Sequence, residues 1–199
     1  ELLDFVWHSD HLAYNLVLDE AGSEYLLGVP FSPTRDEETL QLLVPRIEAV
    51  LAEMPIPFLV ENNVNYIDYG DEGFGQAEFL NELLGRTDCG LLLDLHNLFV
   101  DVRNGALADV ADFIDRLDTS RVVEIHLAGG LEYGDFYVDA HSGAVPDEVW
   151  DLAADVVPRC PQLRGITFEL LGSWFPHLGA DRLRDTLRRM RALCQERVG

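Results

Sequence analysis

Glu124-Ile125-His126-Leu127-Ala128-Gly129-Gly130 closes an apolar run that begins at Arg121, and Asp139-Ala140-His141-Ser142-Gly143 follows within one short loop. A short apolar run stopped by a glycine pair is the pattern of a buried strand. Here the strand delivers a carboxylate and an imidazole at its C-terminal end. The same arrangement recurs along the chain. Phe58-Leu59-Val60 runs into Glu61-Asn62-Asn63, Leu91-Leu92-Leu93 into Asp94-Leu95-His96-Asn97, and Ile166-Thr167-Phe168 into Glu169. Each is an apolar segment that ends in a carboxylate, an imidazole or both.

The segments between them carry helical periodicity. Leu40, Leu43, Val44, Ile47, Val50 and Leu51 recur at three- and four-residue spacing, so Arg35 to Glu53 is expected to be one amphipathic helix, with Thr34 and Glu37 as its capping pair. Further helices are expected at Gln76 to Leu84, Ala106 to Leu117, Pro146 to Val157 and Asp181 to Glu196. Strands are expected at Leu2 to Trp7, Gly90 to Leu95 and Leu163 to Glu169, with a shorter one at Tyr25 to Val29. Strands that are apolar along their length and alternate with helices predict a parallel sheet covered on both faces, in a single domain over residues 1–199.

Two α/β architectures place ligands at the carboxyl ends of parallel strands: the open doubly wound sheet and the closed barrel. Side chains from almost every successive strand meeting at one place require radial symmetry, which selects the TIM-type (β/α)8 barrel. That barrel needs eight strands and typically about 250 residues. Five full strands are legible, so about three βα units are expected upstream of Glu1, and this chain would hold about the last five.

Charge narrows the function classes. The 199 residues carry 36 Asp and Glu against 14 basic residues, all of them arginine, for a net charge of -22. Such a surface repels nucleic acid and anionic membrane, and neither is expected as a partner. Cys89, Cys160 and Cys194 are scattered and odd in number, which argues for a reducing compartment, with cytoplasm the default. No stretch approaches the roughly 18 consecutive apolar residues of a membrane span.

A single His or Asp at a strand end is more often a cap, a turn former or a satisfied core group than a ligand. Five strand ends loaded alike are another matter, because a buried carboxylate or imidazole is costly unless it is paired or bound to metal. Glu61, Asp94, His126, Asp139, His141 and Glu169, joined by His11, therefore read as a metal site. Oxygen and imidazole donors without thiolate suit Fe, Mn or Zn better than Ca or Mg, and so many donors imply two or three ions. Strand alternation puts Asp94 with His96, and Glu124 with His126, on common sides, so His96 and Glu124 are expected one layer behind the metals. Asn97, expected on a turn, is a neutral ligand candidate, and Asp10 is either a supporting residue or a cap. His8 is expected on the other face of its strand and His177 in a rim loop. The aromatic loops Tyr66 to Tyr69 and Tyr133 to Tyr137 suit a substrate clamp or a packed rim. Gly129-Gly130 has the shape of a phosphate loop but no Lys or Arg beside it.

On the residues alone, two other functions stay open. One is a divalent-metal barrel of the sugar-isomerase or endonuclease-IV type, against which the negative charge and the lack of a phosphate site both count. The other is a metal- or peptide-binding module without turnover.

Six motifs in register resemble a known family. Ser9-Asp10-His11-Leu12, Leu59-Val60-Glu61-Asn62, Leu92-Leu93-Asp94-Leu95-His96-Asn97, Glu124-Ile125-His126-Leu127-Ala128-Gly129, Asp139-Ala140-His141-Ser142-Gly143 and Thr167-Phe168-Glu169 resemble the signature segments of the multinuclear non-heme iron-dependent oxidative enzymes. This is domain of unknown function 692, whose best-known member makes methanobactin. The resemblance implies a TIM barrel with iron ligands at His11, Glu61, Asp94, Asn97, His126, Asp139, His141 and Glu169, of which Glu61, His126, Asp139 and His141 carry the chemistry. It implies two or three mixed-valent irons with O2 as co-substrate. The substrate implied is a ribosomally made precursor peptide, modified at cysteine or another residue, with a small partner protein that captures the leader. The family also has a histidine ligand on the strand before the one that opens this chain.

Overall fold

The structure is a computed structural model that describes residues 4–67 and 73–196. Leu2 and Leu3 of the first expected strand and Tyr69 of the first aromatic loop lie outside the described residues. In chain order the strands are β1 (His8–His11), β2 (Tyr14–Leu18), β3 (Glu24–Phe31), β4 (Phe58–Glu61), β5 (Gly90–Asp94), β6 (Val122–Ala128), β7 (Leu131–Tyr133), β8 (Phe136–Val138) and β9 (Gly165–Glu169). The helices are α1 (Glu37–Glu53), α2 (Gln76–Arg86), α3 (Leu95–Asn104), α4 (Val110–Arg116), α5 (Asp147–Val156) and α6 (Phe175–Glu196), the last broken at Gly179.

Among the described residues, β1-β4-β5-β6-β9 form a curled, wholly parallel five-stranded sheet. Strands β4 and β5 are buried residue after residue, which is why they read as unbroken apolar runs rather than alternating ones. Val60, Leu91, Leu93, Ile125 and Leu127 pack in one cluster with Leu40 and Ile47 of α1, Phe79 and Leu83 of α2, Leu98 of α3, Phe113 of α4 and Trp150 of α5. Each such fully buried side chain is worth about 1.5–3 kcal/mol relative to leaving it exposed.

Register then decides where the polar ends fall. His11 lies beside Glu61, Asp94 beside His126, His126 beside Thr167, and Ala128 beside Glu169. Strand ends that are far apart in sequence thus meet at the carboxyl edge of the sheet.

Several boundaries differ from the sequence expectation. Residues 4–7 of the first expected strand are not strand, and the first strand among the described residues is His8–His11, which pairs with β4 and stacks His8 on the ring of Phe58, centroids 4.7 Å apart. Its polar composition hid it. The short strand expected at Tyr25 to Val29 is one arm of the β2–β3 antiparallel hairpin. Asp94 ends its strand and caps α3 through a bond from the Asn97 amide (2.7 Å), so His96 and Asn97 lie in the first turn of a helix and strand alternation does not govern them. That helix went unread because it is buried nearly all round and shows no polar face. Gly105 (φ 81°) ends it, and Asp109 starts the shorter α4 where one helix from Ala106 was expected. The aromatic stretch Tyr133 to Tyr137 is a second hairpin, β7–β8.

Candidate metal centre

Glu61, Asp94, His126 and Glu169 each present one ligand atom such that all four atoms lie within 4.8 Å of one another. They come from the ends or near-ends of β4, β5, β6 and β9. Contacts extend this group in both directions. Glu61 Oε1 is 3.3 Å from His126 Nδ1 while its Oε2 is 3.6 Å from His11 Nε2. Glu169 Oε2 is 3.4 Å from His126 Nδ1 and 3.2 Å from His141 Nε2, which in turn lies 3.0 Å from Asp139 Oδ2. Asp139 Oδ1 contacts His96 Nδ1 at 2.9 Å. Glu61 and Glu169 each touch two imidazoles, so the cluster is a chain of alternating acids and imidazoles rather than one isolated knot.

Supporting contacts hold these groups. The Asn62 side chain donates to the Asp94 carbonyl (3.0 Å) and accepts from the Asp94 amide (2.8 Å), tying β4 to β5 where the ligands leave the sheet. Asn97 donates through Nδ2 to the Asn62 carbonyl (2.9 Å). Glu124 stands behind His126, 3.4 Å from its Nε2, and accepts bonds from Trp7 Nε1 and Thr167 Oγ1, both 2.6 Å. His96 is fully buried against Phe99 and Tyr137. The Asp139 amide donates to the Tyr66 hydroxyl (3.0 Å).

The glycine pair serves this geometry. A Cβ on Gly129 would stand 2.2 Å from the Ser142 carbonyl oxygen, and one on Gly130 would stand 2.4 Å from that of Val138. Only glycine lets the loop bearing Asp139 and His141 return onto β6, where the Ser142 amide bonds the Gly129 carbonyl (2.7 Å). His141 itself sits at φ 45°, a left-handed position that is uncommon outside glycine and is often found at functional sites.

Electrostatics shows an excess of buried acid. Burial, then repulsion from Asp139, drives the Asp94 carboxyl well above the usual carboxylate range. Burial alone would lower His126, but the carboxylates of Glu124, Glu169 and Glu61 outweigh it and push the imidazole up to about 12. The Asp139 hydrogen bond raises His141 to about 9. Burial would raise Asp139, yet His141 and His96 hold it below its ordinary value. Glu124, likewise desolvated, is held down at about 2 by His126, Thr167 and Trp7.

The donor set fits metal on two counts. It gathers four carboxylates and several imidazoles where a cation would cancel their repulsion. Three buried atoms of these residues are also without a hydrogen bond: Asn97 Oδ1, His96 Nε2, and His126 Nδ1, which is near two carboxylates but aligned with neither. An orphaned amide oxygen and ring nitrogen are what a metal site leaves unpaired to protein.

Of the residues singled out in the sequence, His11, Glu61, Asp94, His126, Asp139, His141 and Glu169 come together, with His96 and Glu124 in contact behind them. Asn97 lies beside Asp94. Asp10 is exposed, and its carboxylate accepts only from the adjacent His11 amide (2.9 Å) among the contacts described. His177 packs against Trp174 in α6. Asn62, Trp7 and Thr167 carried no chemical signal of their own; the register of β4, β6 and β9 is what recruits them. Thr167→Val removes a donor from Glu124 and is expected to weaken metal binding about tenfold, read by competition with a chromogenic chelator.

Residues 1–177 match a family model described as RiPP precursor modification enzyme MbnB/TglH/ChrH. A UPF0276 protein of Caulobacter vibrioides (strain NA1000 / CB15N) is 33% identical over 150 residues, 75% of this chain and 51% of that protein. Another, from Anaeromyxobacter sp. (strain Fw109-5), is 35% identical over 156 residues, 77% and 52% of the two chains. A third, from Vibrio vulnificus (strain YJ016), is 36% identical over 151 residues, 72% and 49%. The chain spans about half the length of the curated relatives it matches.

Proposed function

The chain belongs to the MbnB/TglH/ChrH family of RiPP precursor modification enzymes, and from that membership we propose that it works as a multinuclear non-heme iron-dependent oxidase. It uses O2 to modify cysteine, or another residue, of a ribosomally made precursor peptide. Its five-stranded sheet belongs to an eight-stranded TIM barrel, it acts in the cytoplasm with a small leader-binding partner protein, and it needs neither nucleic acid nor membrane. No helix among the described residues is long and apolar enough to cross a membrane.

The observation that carries this reading is that Glu61 and Glu169 each face two imidazoles. Shared carboxylates are the donors that hold neighbouring ions together. Glu61, Asp94, His126 and Glu169 would hold one iron, Asp139 and His141 would serve a second together with Glu169, and His11 and Asn97 would be further ligands. Bound iron supplies one-electron redox chemistry, a position for O2 and acidification of a substrate thiol.

The protein's own part is orientation. Asn62 fixes Asp94 by two backbone bonds, Glu124 fixes the ring of His126, and His96 fixes Asp139. His11, His141 and Glu169 are the more exposed members, so substrate approaches from their side. The test is O2 uptake by the iron-loaded protein with a panel of cysteine-containing precursor peptides, with each peptide's mass measured. O2 consumption with a matching mass change is expected. An unmodified peptide and no uptake would overturn the reading.

A further inference from the structure

Helix α3 grips two walls of the site. Asp94, Asn97 and Asp101 follow one another at three- and four-residue spacing, on one stripe of the helix and its cap, and each bonds the segment at the end of β4. His96 and Asn104 reach the other wall. His96 Nδ1 contacts the Asp139 carboxylate at 2.9 Å, and the Asn104 side chain bonds both the amide and the carbonyl of Tyr137, each at 2.9 Å. The two walls meet where the Asp139 amide donates to the Tyr66 hydroxyl (3.0 Å).

Asp101 is not one of the clustered acids. It is only 1% exposed, and its two oxygens accept from the Asn65 amide (2.7 Å) and the Asn65 side chain (2.6 Å). Burial pushes its carboxyl up to about 6, against the pull of those two bonds. A carboxylate desolvated to this degree is a poor source of stability in itself. What it secures is the place of Asn65, and the next residue is Tyr66. The contacts therefore close a ring, from Asp101 to Asn65, from Tyr66 to the Asp139 amide, and from the Asp139 carboxylate to His96 of the same helix. One helix thus holds Asp139 at both its amide and its carboxylate.

We propose that Asp101 is a positioning residue of the metal centre: through Asn65 and Tyr66 it fixes the Asp139 backbone, and so sets the Asp139 carboxylate opposite His141. The proposal rests on the reading above in which Asp139 and His141 serve a second ion. Asp101→Asn keeps the shape of the side chain but loses one of its two acceptors. Tyr66→Phe removes the acceptor of the Asp139 amide. Both changes loosen the Asp139 side of the centre, while Asp94 and His126 keep their ties to Asn62 and Glu124.

Two readouts separate this role from a general loss of stability. The first needs no metal: hydrogen exchange at the Asp139 amide, followed by NMR in the metal-free protein. Exchange is expected to be about tenfold faster in Asp101→Asn and in Tyr66→Phe, and no faster in the double variant than in Tyr66→Phe, because both act on one contact. The second is binding of ferrous iron alone, by equilibrium dialysis under nitrogen. Each variant should weaken about tenfold the binding step that His141→Ala removes, and leave the tighter binding at Glu61, Asp94 and His126 unchanged. Asp101→Asn combined with Asn65→Asp, which again sets a donor opposite each acceptor, should recover most of both losses. Asn81→Ala is the control, since it removes a side chain that bonds the Arg116 carbonyl (2.7 Å) and the Asp118 amide (2.8 Å). It should lower Tm without moving either readout. Unchanged exchange, additive effects in the double variant, equal weakening of every iron-binding step, or no recovery with Asn65→Asp would overturn the proposal. Exchange with the expected signatures, but no iron-binding step lost in His141→Ala, would uphold the tie and count against the second-ion reading alone.

Discussion

His126→Ala is expected to abolish iron loading and to reduce turnover by at least about a hundredfold, since even supporting residues behind a metal ligand cost about 10–100-fold when removed. His126 is the residue on which the cluster converges, in contact with Glu61, Glu124 and Glu169 at 3.3–3.4 Å. Without it, three carboxylates lose their shared cationic partner in a buried place. They then protonate rather than bind metal. His177→Ala is the control, because its ring packs on Trp174 rather than on the cluster. Metal content by plasma emission spectroscopy and O2 uptake check both. Full iron content in the His126 variant would remove that residue from the site.

Metal should also change the pH dependence of stability. Without metal, the Asp139 hydrogen bond pushes His141 up to about 9, and the surrounding carboxylates, overcoming burial, push His126 up to about 12. Both folded values exceed the ordinary 6.5. The folded chain therefore binds more protons than the unfolded one above that pH, and the stability these groups contribute is complete below about pH 6.5. It is lost as pH rises, first through about 9 and then through about 12. Asp94 acts in the same direction, since burial first and Asp139 second favour its protonated form in the fold. Bound metal reverses this, because it requires neutral imidazole and ionised carboxylate and so releases protons on binding. Between pH 6.5 and 9 the metal-free protein is expected to lose about 5–10 °C in Tm, while the iron-loaded protein holds or gains. Differential scanning calorimetry under nitrogen, with chelator or ferrous iron, reads the difference. Equal falls in both samples would contradict a metal held by these groups.

Much of this site was legible as sequence because parallel strands buried on both faces are unbroken apolar runs, and whatever polar residue ends the run stands out. Glu61, Asp94, His126 and Glu169 were found that way. The parallel sheet followed from the alternation of strands with helices. What stayed hidden has a common physical cause. The strand His8–His11 has no apolar run, because it lies at one side of the sheet and is more exposed than β4 or β5. Helix α3 has no polar face to give it a period. Asn62, Trp7 and Thr167 act through bonds across the sheet, which depend on register, and register is a property of paired strands rather than of one segment. The glycine pair offered a false lead, since its phosphate-like appearance comes from a need for close backbone approach to Ser142 and Val138.

The most direct measurement is metal analysis combined with Mössbauer spectroscopy on the full-length protein purified without oxygen. The account predicts two or more irons per chain with at least one coupled pair, as expected if Glu61 and Glu169, each beside two imidazoles, serve neighbouring ions. Zinc or manganese at one or two per chain, with no iron taken up on reconstitution, would contradict it and point instead to a divalent-metal enzyme of the isomerase type.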